Sequence, residues 1–534
     1  NFTYENKLVG DGAPMGRMSI NRYGYTIHQF NEMISYVKSF GEHSIDILAG
    51  HENYSYSYDY LTGSKQGEIA SGLYEFPNFV TINSLSSSTT DYRKEGYLLR
   101  ANYDFRDKYY LSGSYRHDGS SRFHKTHKWG DFWSVGGSWR IDQEQFLQDA
   151  SWVNSLKLRA SYGETGNDNT QINAENTYYG YMTVFSNGLN NRDEAGIYFS
   201  RFGNQDLMWE SAVSLDAAVE FALFDRLSGT IEFFDHYNRD LIFELPVQSS
   251  SGIISYLRNI GRIDNYGVEI DLHYTAFKNR DWRVTVGANT TSVKNVIKEL
   301  PEEGIVDGNK RYAVGKSRYD YWLRQFVGVD PDTGQALYIF DADNQATGAD
   351  VFEKNGQTVT TNLNKAKYEY SGNTIPKLQG GFTASVAYRN FDLSAHCSYA
   401  VGGKILDTHY QTLMNNRYAY AMHEDVLKAW KNPGDVTDVP RLDQTRSADY
   451  DGASSRWLIS SNYLNIKNVN LSYTVPRKAL NTLGLKSTRI GVDMENLMLF
   501  TARKGLNPQE SFAGTLYNSY VPARTVTCTL NLSF

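Results

Sequence analysis

The strongest constraint on this chain is an alternation of apolar and polar residues at period two, interrupted by connections that are in turn very short and very long. Tyr97, Leu99, Ala101, Tyr103 and Phe105 alternate with Leu98, Arg100, Asn102 and Asp104. After the turn Arg106-Asp107-Lys108, the residues Tyr109, Leu111, Gly113 and Tyr115 alternate with Tyr110, Ser112, Ser114 and Arg116. The pattern recurs around Tyr388-Arg389-Asn390-Phe391. Phe382, Ala384, Val386 and Tyr388 lead in, and Phe391, Leu393, Ala395, Cys397 and Tyr399 lead away. Further hairpins turn at Lys278-Asn279-Arg280-Asp281 and Leu223-Phe224-Asp225-Arg226. Successive side chains of a strand point to opposite faces, so each segment carries one apolar and one polar face. Apolar outside and polar inside is the pattern of a transmembrane barrel.

Connection length sharpens this. Roughly fifteen strands can be read. Short links fall at Gly41-Glu42, Arg106–Lys108, Leu223–Arg226, Lys278–Asp281 and Tyr388–Phe391, and medium ones near Gln143–Asn154 and Arg477–Lys486. Between them lie polar, Gly- and Asn-rich stretches at 62–92, 117–128, 165–207, 243–259, 298–375, 403–457 and 502–517. Outer-membrane barrels have tight periplasmic turns on one rim and long extracellular loops on the other; a soluble sandwich has no reason to alternate so regularly. Tyrosines such as Tyr54, Tyr56, Tyr58, Tyr109 and Tyr110 gather where strands meet loops, and are read as interfacial girdle residues. The expected fold is all-β: one transmembrane antiparallel β-barrel domain containing residues 1–534.

Composition agrees by exclusion. No stretch is long and apolar enough for a transmembrane helix. Cys397 and Cys528 are the two cysteines, too few for a disulfide framework or a Cys-based zinc cluster. A net charge of −7 gives no sign of a nucleic-acid partner.

The final strand alternates Val526, Cys528, Leu530, Leu532 and Phe534 with polar residues and stops on an aromatic ring. If that strand runs toward the periplasm, the strand near Tyr25–Lys38 does too, which makes the count odd. Single-chain bacterial barrels close with even numbers, and an open edge in lipid leaves backbone groups unsatisfied. The expectation is that earlier strands belong ahead of Asn1.

Chemistry is sparse. Asp330-Pro331-Asp332-Thr333-Gly334 with Asp341 and Asp343 resembles a calcium loop in composition, but Gln345 and Gly348 break the ligand spacing, and two loop turns are the better reading. His117, His124 and His127 with Asp118 share no defined face, so a solvated loop outweighs a metal site. There is no G-x-S-x-G elbow, and His51, His236 and His273 stand singly in strand patterns, His273 with Glu269 and Asp271 on the polar face. No catalysis, metal or cofactor is expected. Aromatic residues in or beside the long stretches are the candidate ligand contacts: Tyr178, Tyr179 and Tyr181; Tyr319, Tyr321 and Trp322; Trp430, with Trp457 nearby. Rings stack on sugar faces, while neighbouring polar groups can hydrogen-bond hydroxyls or peptides. The competing reading is that they pack the loops together or meet a lid protein.

Several segments together resemble one family. They are Tyr115-Arg116-His117-Asp118-Gly119-Ser120-Ser121-Arg122-Phe123; Phe132-Trp133-Ser134-Val135 with Gly137-Ser138-Trp139-Arg140; and Leu156-Lys157-Leu158-Arg159-Ala160-Ser161-Tyr162-Gly163 with Thr165-Gly166-Asn167. Asn265-Tyr266-Gly267-Val268-Glu269, Tyr463-Leu464-Asn465-Ile466-Lys467-Asn468-Val469 and Glu495-Asn496-Leu497 follow in order. The set resembles the C-terminal barrel portion of SusC-type (SusC/RagA) TonB-dependent outer-membrane transporters of Bacteroidota. The resemblance implies that these are about the last 15 of 22 strands. It implies a plug, a TonB box and first strands outside this sequence, and energy from TonB–ExbB–ExbD. It also implies a SusD-like surface lipoprotein as lid, an oligosaccharide or peptide ligand, and a possible dimer of such pairs in outer-membrane lipid. The rivals are a passive porin and an outer-membrane adhesin or enzyme.

Overall fold

The computed structural model describes the chain except residues 1, 7, 9, 171–177, 188, 192–193, 247–249, 251–254, 303, 416–419, 481–483 and 517–520. Parts of the expected loops at 165–207, 243–259, 298–375, 403–457 and 502–517, and of the turn at 477–486, lie outside the described residues. Among the described residues, sixteen strands form one antiparallel sheet whose spatial order follows the chain. They are β1 (Phe2–Glu5), β2 (Arg17–Phe40), β3 (His43–Glu68), β4 (Phe79–Phe105), β5 (Tyr109–Ser120), β6 (Trp129–Arg140), β7 (Val153–Asn167) and β8 (Glu210–Leu223). Then come β9 (Leu227–Arg239), β10 (Arg262–Lys278), β11 (Trp282–Glu299), β12 (Leu378–Tyr388), β13 (Phe391–Val401), β14 (Tyr463–Thr474), β15 (Ser487–Thr501) and β16 (Thr525–Ser533). The strands from β2 onward correspond to the sequence reading; β1, four residues long, pairs with only the first residues of β2 and left no periodic signal.

The chain divides into two compact units, one of residues 1–137, 161–214 and 238–261, the other of 138–160, 215–237 and 262–534. In the first unit, the turn at Arg106 and Asp107 places both residues at positive φ, 63° and 51°, the primed hairpin geometry whose twist matches flanking strands. In the second, Phe224 and Asp225 do the same at 57° and 54°.

Faces follow parity. Even-numbered β3 residues carry the polar register: Asp46 accepts from Asn102 at 3.3 Å, and Glu52 pairs with Arg116 at 2.8 Å. The odd register holds Ile45, Ile47 and Ala49 beside Tyr103, Ala101 and Leu99 of β4. The second unit repeats this. Arg159 bridges Glu220 at 2.8 Å and Glu232 at 2.7 Å, whereas Val286, Phe382, Leu393 and Leu471 are exposed on the other face. At its short-turn rim, aromatic pairs line up: Trp282 with Tyr388 at 4.3 Å, Phe391 with Tyr473 at 4.6 Å, and Trp152 with Phe224 at 5.6 Å. Such belts suit a membrane–water boundary.

Three expectations change. The stretch 62–92 is largely strand: β3 and β4 run on as a paired hairpin and leave only 69–78 between them. At ~3.3 Å per residue the 26 residues of β3 reach on the order of 80 Å, well beyond the hydrocarbon layer. Above the membrane both faces of a strand are wet, so its Ser- and Thr-rich sequence looks like a loop. Tyr54, Tyr56 and Tyr58 are correspondingly not girdle residues. They share the even register with Asp46 and Glu52 and lie past the apolar band on the polar face. Likewise β5 continues to Ser120, so the stretch expected as loop from 117 begins at 121.

The long connections of the second unit are folded, not irregular. Residues 300–377 contain two four-stranded sheets. The first is made of Ile305–Asp307, Lys310–Tyr312, Asp320–Arg324 and Tyr368–Asn373, the second of Phe326–Val329, Ala336–Ile339, Val351–Lys354 and Gln357–Thr360. With Lys404–Leu406 and Leu458–Ser460 they enclose a core of Tyr321, Leu323, Leu406, Met414, Val426, Ala429, Val439 and Trp457. A smaller core joins Ala336, Tyr338, Leu363, Ala366 and Tyr450. A long connection of this length needs such internal structure to stay ordered.

Candidate ligand-binding surfaces

In the first unit, tyrosines form a ladder on the extended part of the polar face. Tyr23 stacks on Tyr60 at 5.2 Å and Tyr56 on Tyr178 at 6.5 Å, and Tyr25 meets Tyr58 at a tilt at 5.0 Å. Tyr178 closes a polar cluster. The Arg122 guanidinium lies 4.6 Å over its ring and 4.5 Å over that of Tyr92. Arg122, 9% exposed, donates to the Asp168 carbonyl at 2.9 Å. The Asp168 carboxylate accepts from Tyr92 at 2.5 Å and Ser120 at 2.7 Å. Burial and the neighbouring carboxylate push the Tyr92 phenol well above its usual range, so it stays a donor. Arg122 and Ser120 come from the Asp118–Phe123 motif, whose role here is to hold Asp168, Asn169 and Tyr178. Tyr178 therefore serves mainly as packing. Tyr179 is more open, donating to the Asp91 carbonyl at 3.3 Å, and Tyr181 rests near His124 at 6.0 Å.

In the second unit, Tyr321 departs from its expected role. It is 0% exposed; its hydroxyl donates to the Gly514 carbonyl at 2.6 Å and accepts from the Leu406 amide at 3.2 Å. Its ring is the floor for the Lys310 ammonium, 3.3 Å away. With ring and hydroxyl both used, Tyr321 is a core residue and not a ligand contact. Trp430 is half-buried, donates from Nε1 to the Pro331 carbonyl at 2.9 Å, and packs on the Asp330–Gly334 turn. Gly334 has φ 70°, and a Cβ there would strike the Trp430 ring. Trp457, 1% exposed, is core as well.

Trp322 and Tyr319 are better placed. Trp322 stacks on Tyr368 at 6.1 Å and meets Tyr370 edge-on at 4.9 Å, with the Arg311 guanidinium 4.5 Å over its ring. Arg324 lies 4.9 Å over Tyr368 and Lys316 4.8 Å over Tyr370. Tyr319 meets Phe512 at 5.1 Å. Sequence reading missed Tyr368, Tyr370 and Phe512; alternation of Tyr368, Tyr370 and Gly372 in a short strand was the available signal. Half-buried rings interleaved with cations suit a ligand that offers flat faces and hydrogen-bond acceptors.

Lys310 makes this assembly pH-sensitive. Its ammonium donates to the Tyr319 carbonyl at 2.9 Å, and burial lowers its pKa to about 7, with Asp320 opposing the shift. The unfolded loop binds more protons between that value and the ordinary lysine range, so stability rises with pH across that window and falls as pH drops toward 7. The expected result is that proteolytic opening of the loops slows from pH 7 to 10 in the native protein. In Lys310→Met that slope should disappear; an unchanged slope would assign it to other groups.

The weighed metal sites take other partners. Lys354 bridges Asp330 and Asp332, at 2.8 Å each, where a calcium ion would sit. His117 pairs with Asp131 at 2.7 Å and stacks on Trp129, whereas His124 and His127 both contact Thr126. Among the described residues no three His, Cys, Asp or Glu side chains converge as a metal-binding group.

The chain matches the family described as TonB dependent receptor-like, beta-barrel, over residues 1–497. It is 28% identical over 582 aligned positions to TonB-dependent receptor P3 of Formosa agariphila, covering 100% of this chain and 56% of that protein. It is 23% identical to TonB-dependent receptor SusC of Bacteroides thetaiotaomicron, covering 96% of this chain and 50% of that one. The chain thus spans about half the length of the curated relatives it matches. Among solved structures, the RagAB peptide transporter superposes with TM-score 0.81 at 25% identity, covering 98% of this chain and 57% of its counterpart. The closed-closed RagAB peptide importer gives 0.84 at 24% identity, covering 100% and 58%. Motifs, strand order and these likenesses agree: the chain belongs to the TonB-dependent receptor-like β-barrel family, with SusC-type relatives, and is an outer-membrane protein.

Proposed function

We propose that this chain is the C-terminal part of a single TonB-dependent-receptor barrel that actively imports an oligosaccharide or peptide. The plug, TonB box and first strands lie on the remainder of the full-length receptor, a SusD-like lipoprotein lids the extracellular loops, and TonB–ExbB–ExbD supplies energy. The observation that carries this reading is the ordered loop assembly of the second unit: cored sheets presenting Trp322, Tyr368 and Tyr370 with their cations on one end of the barrel strands. A passive channel has no need of a built, ring-lined surface there. The likeness to RagAB, a peptide transporter, supports a peptide ligand, and the oligosaccharide alternative rests on the SusC-type motifs of the sequence.

The test is accumulation of labelled oligosaccharide or peptide by cells carrying the full-length receptor, with and without TonB. Uptake lost to background without TonB is expected. Uptake unchanged without TonB would establish a porin instead, and ligand binding with no uptake in either strain an adhesin.

A further inference from the structure

An open cleft of about 240 Å³ lies in the second unit, between β12–β14 and the turn at Pro508–Glu510. Its lining includes Lys404, Lys467, Gln379, Ser511, Phe512 and Tyr463, and no acidic side chain. Among the described residues neither lysine is paired with a carboxylate or held by a hydrogen bond within the chain. Two more lining groups are unsatisfied: the hydroxyls of Thr374 and Ser461 are buried without a partner, in residues only 6% and 8% exposed. Buried hydroxyls in folded proteins almost always find one.

The backbone is shaped at the same place. On one edge of β14, Cys397 pairs with Ile466 and His396 with Asn468; on the other, Met498 pairs with Ile466 and Glu495 with Asn468. Lys467 is skipped on both edges, opposite Asn496 in the left-handed region at φ 51°. A bulge of this kind re-aims one side chain and is over-represented beside functional sites. Here it turns Lys467 into a position shared by this cleft and an adjoining one of about 580 Å³, which Arg524 and Glu510 also line. Two uncompensated ammonium groups, facing free hydroxyl donors in a recess, set a positive potential that an anion relieves.

We infer that this cleft binds the anionic group of the imported ligand, held by Lys404 and Lys467 with Ser461 and Thr374, and that the ligand unit is an acidic sugar. The volume accommodates one ring and not a drug-sized molecule. Amide and hydroxyl side chains match ring hydroxyls, and Phe512 offers a face for stacking. A carboxylate and a sulfate ester present the same oxygens, so the two sources are separated by experiment. The inference rests on the import reading and names its substrate class.

The test is calorimetric titration of the full-length receptor, with the partner it is isolated with, using trigalacturonate, a sulfated galactan trisaccharide, neutral maltotriose, triglutamate and sodium sulfate. One of the two acidic sugars should bind, trigalacturonate marking a carboxylate ligand and the sulfated sugar a sulfate ester. Its affinity should fall about ten-fold in Lys404→Gln and in Lys467→Gln, stay near native in Lys404→Arg, and drop with added salt. Ser461→Ala should weaken it too, and unchanged thermal midpoints show that the variants are folded. Equal affinity for maltotriose, affinities indifferent to both lysines, triglutamate as the preferred probe, or sulfate binding as tightly as the sugar would each overturn it. TonB-dependent uptake that persists in Lys404→Gln with no acidic sugar bound leaves the import reading standing and removes this one.

Discussion

Trp457→Ala is expected to cost the extracellular loop assembly about 3–5 kcal/mol, the usual range for deleting a buried tryptophan, while the barrel strands stay folded. The indole is 1% exposed and sits among Tyr321, Leu323, Leu406, Met414, Val426, Ala429 and Val439. Its Nε1 donates to the Gly452 carbonyl at 3.0 Å, and the Arg456 guanidinium lies 4.3 Å over its ring. Burial already lowers the pKa of Arg456, so removing the ring leaves a poorly solvated cation beside a cavity. These contacts join the 300–377 and 402–462 connections, and none of the residues named lies in the sixteen-stranded sheet. A loss of that size raises the opened population on the order of a hundred-fold or more. Limited proteolysis of the full-length receptor should therefore cut both connections much faster. Heat-modifiable gel migration, which reports the barrel, should be unchanged. If the barrel form melts in step with loop cleavage, loops and strands are one cooperative unit, and the loop assembly is not the separately cored element described above.

Much of the sheet was legible because period two reports directly on which residues share a face. The turns at Arg106–Lys108, Asn279–Asp281 and Arg389-Asn390 lie where alternation breaks, and the register of Phe382 with Cys397 and Val386 with Leu393 matches the apolar sets read from sequence. Alternation could not reveal how far a strand continues beyond lipid. From Tyr54 to Ser64 the environment of β3 changes while the backbone pairing does not, so residues read as girdle and loop proved to be a paired, lumen-register extension. The loop assembly was less legible still. Tyr321 meets Gly514 and Leu406 far along the chain, and no local pattern distinguishes such a ring from Trp322, one residue away, which is half-exposed among Tyr368 and Tyr370. Composition pointed to aromatic residues in the long connections; only long-range packing separates the rings that form the cores from those left on a surface. The Asp330 turn is similar, since its cation is Lys354, supplied by a strand of the same small sheet.

Ala395→Arg is expected to destabilise the barrel in a bilayer by about 2–4 kcal/mol, as a cation at the midplane of a lipid-facing strand does. Its neighbour Ser394→Arg should fall near neutral. Ala395 lies midway along β13, between Phe391 at the aromatic rim and Tyr399, opposite Ala384 on β12 and Val469 on β14. Its register is that of Leu393, Val286 and Phe382, all exposed in the chain by itself, which is where acyl chains must cover them. An arginine there would have to reach past several residues to headgroups, with hydrocarbon on every side. Ser394 points the other way, opposite Ser385 and Asn470. There Asn470 and Asn468 already donate to the Asp493 carboxylate at 3.1 and 2.9 Å, and Asp392 lies 3.6 Å from Arg489. A new guanidinium on this face finds water and carboxylates at once. The measurement is the urea midpoint for folding of the full-length receptor into vesicles, read by heat-modifiable migration. Because both variants add the same charge one residue apart, nonspecific effects cancel in the comparison. Equal midpoints for the two would mean that β13 does not separate lipid from lumen, and the reading of this sheet as a membrane wall would fail at its most regular hairpin.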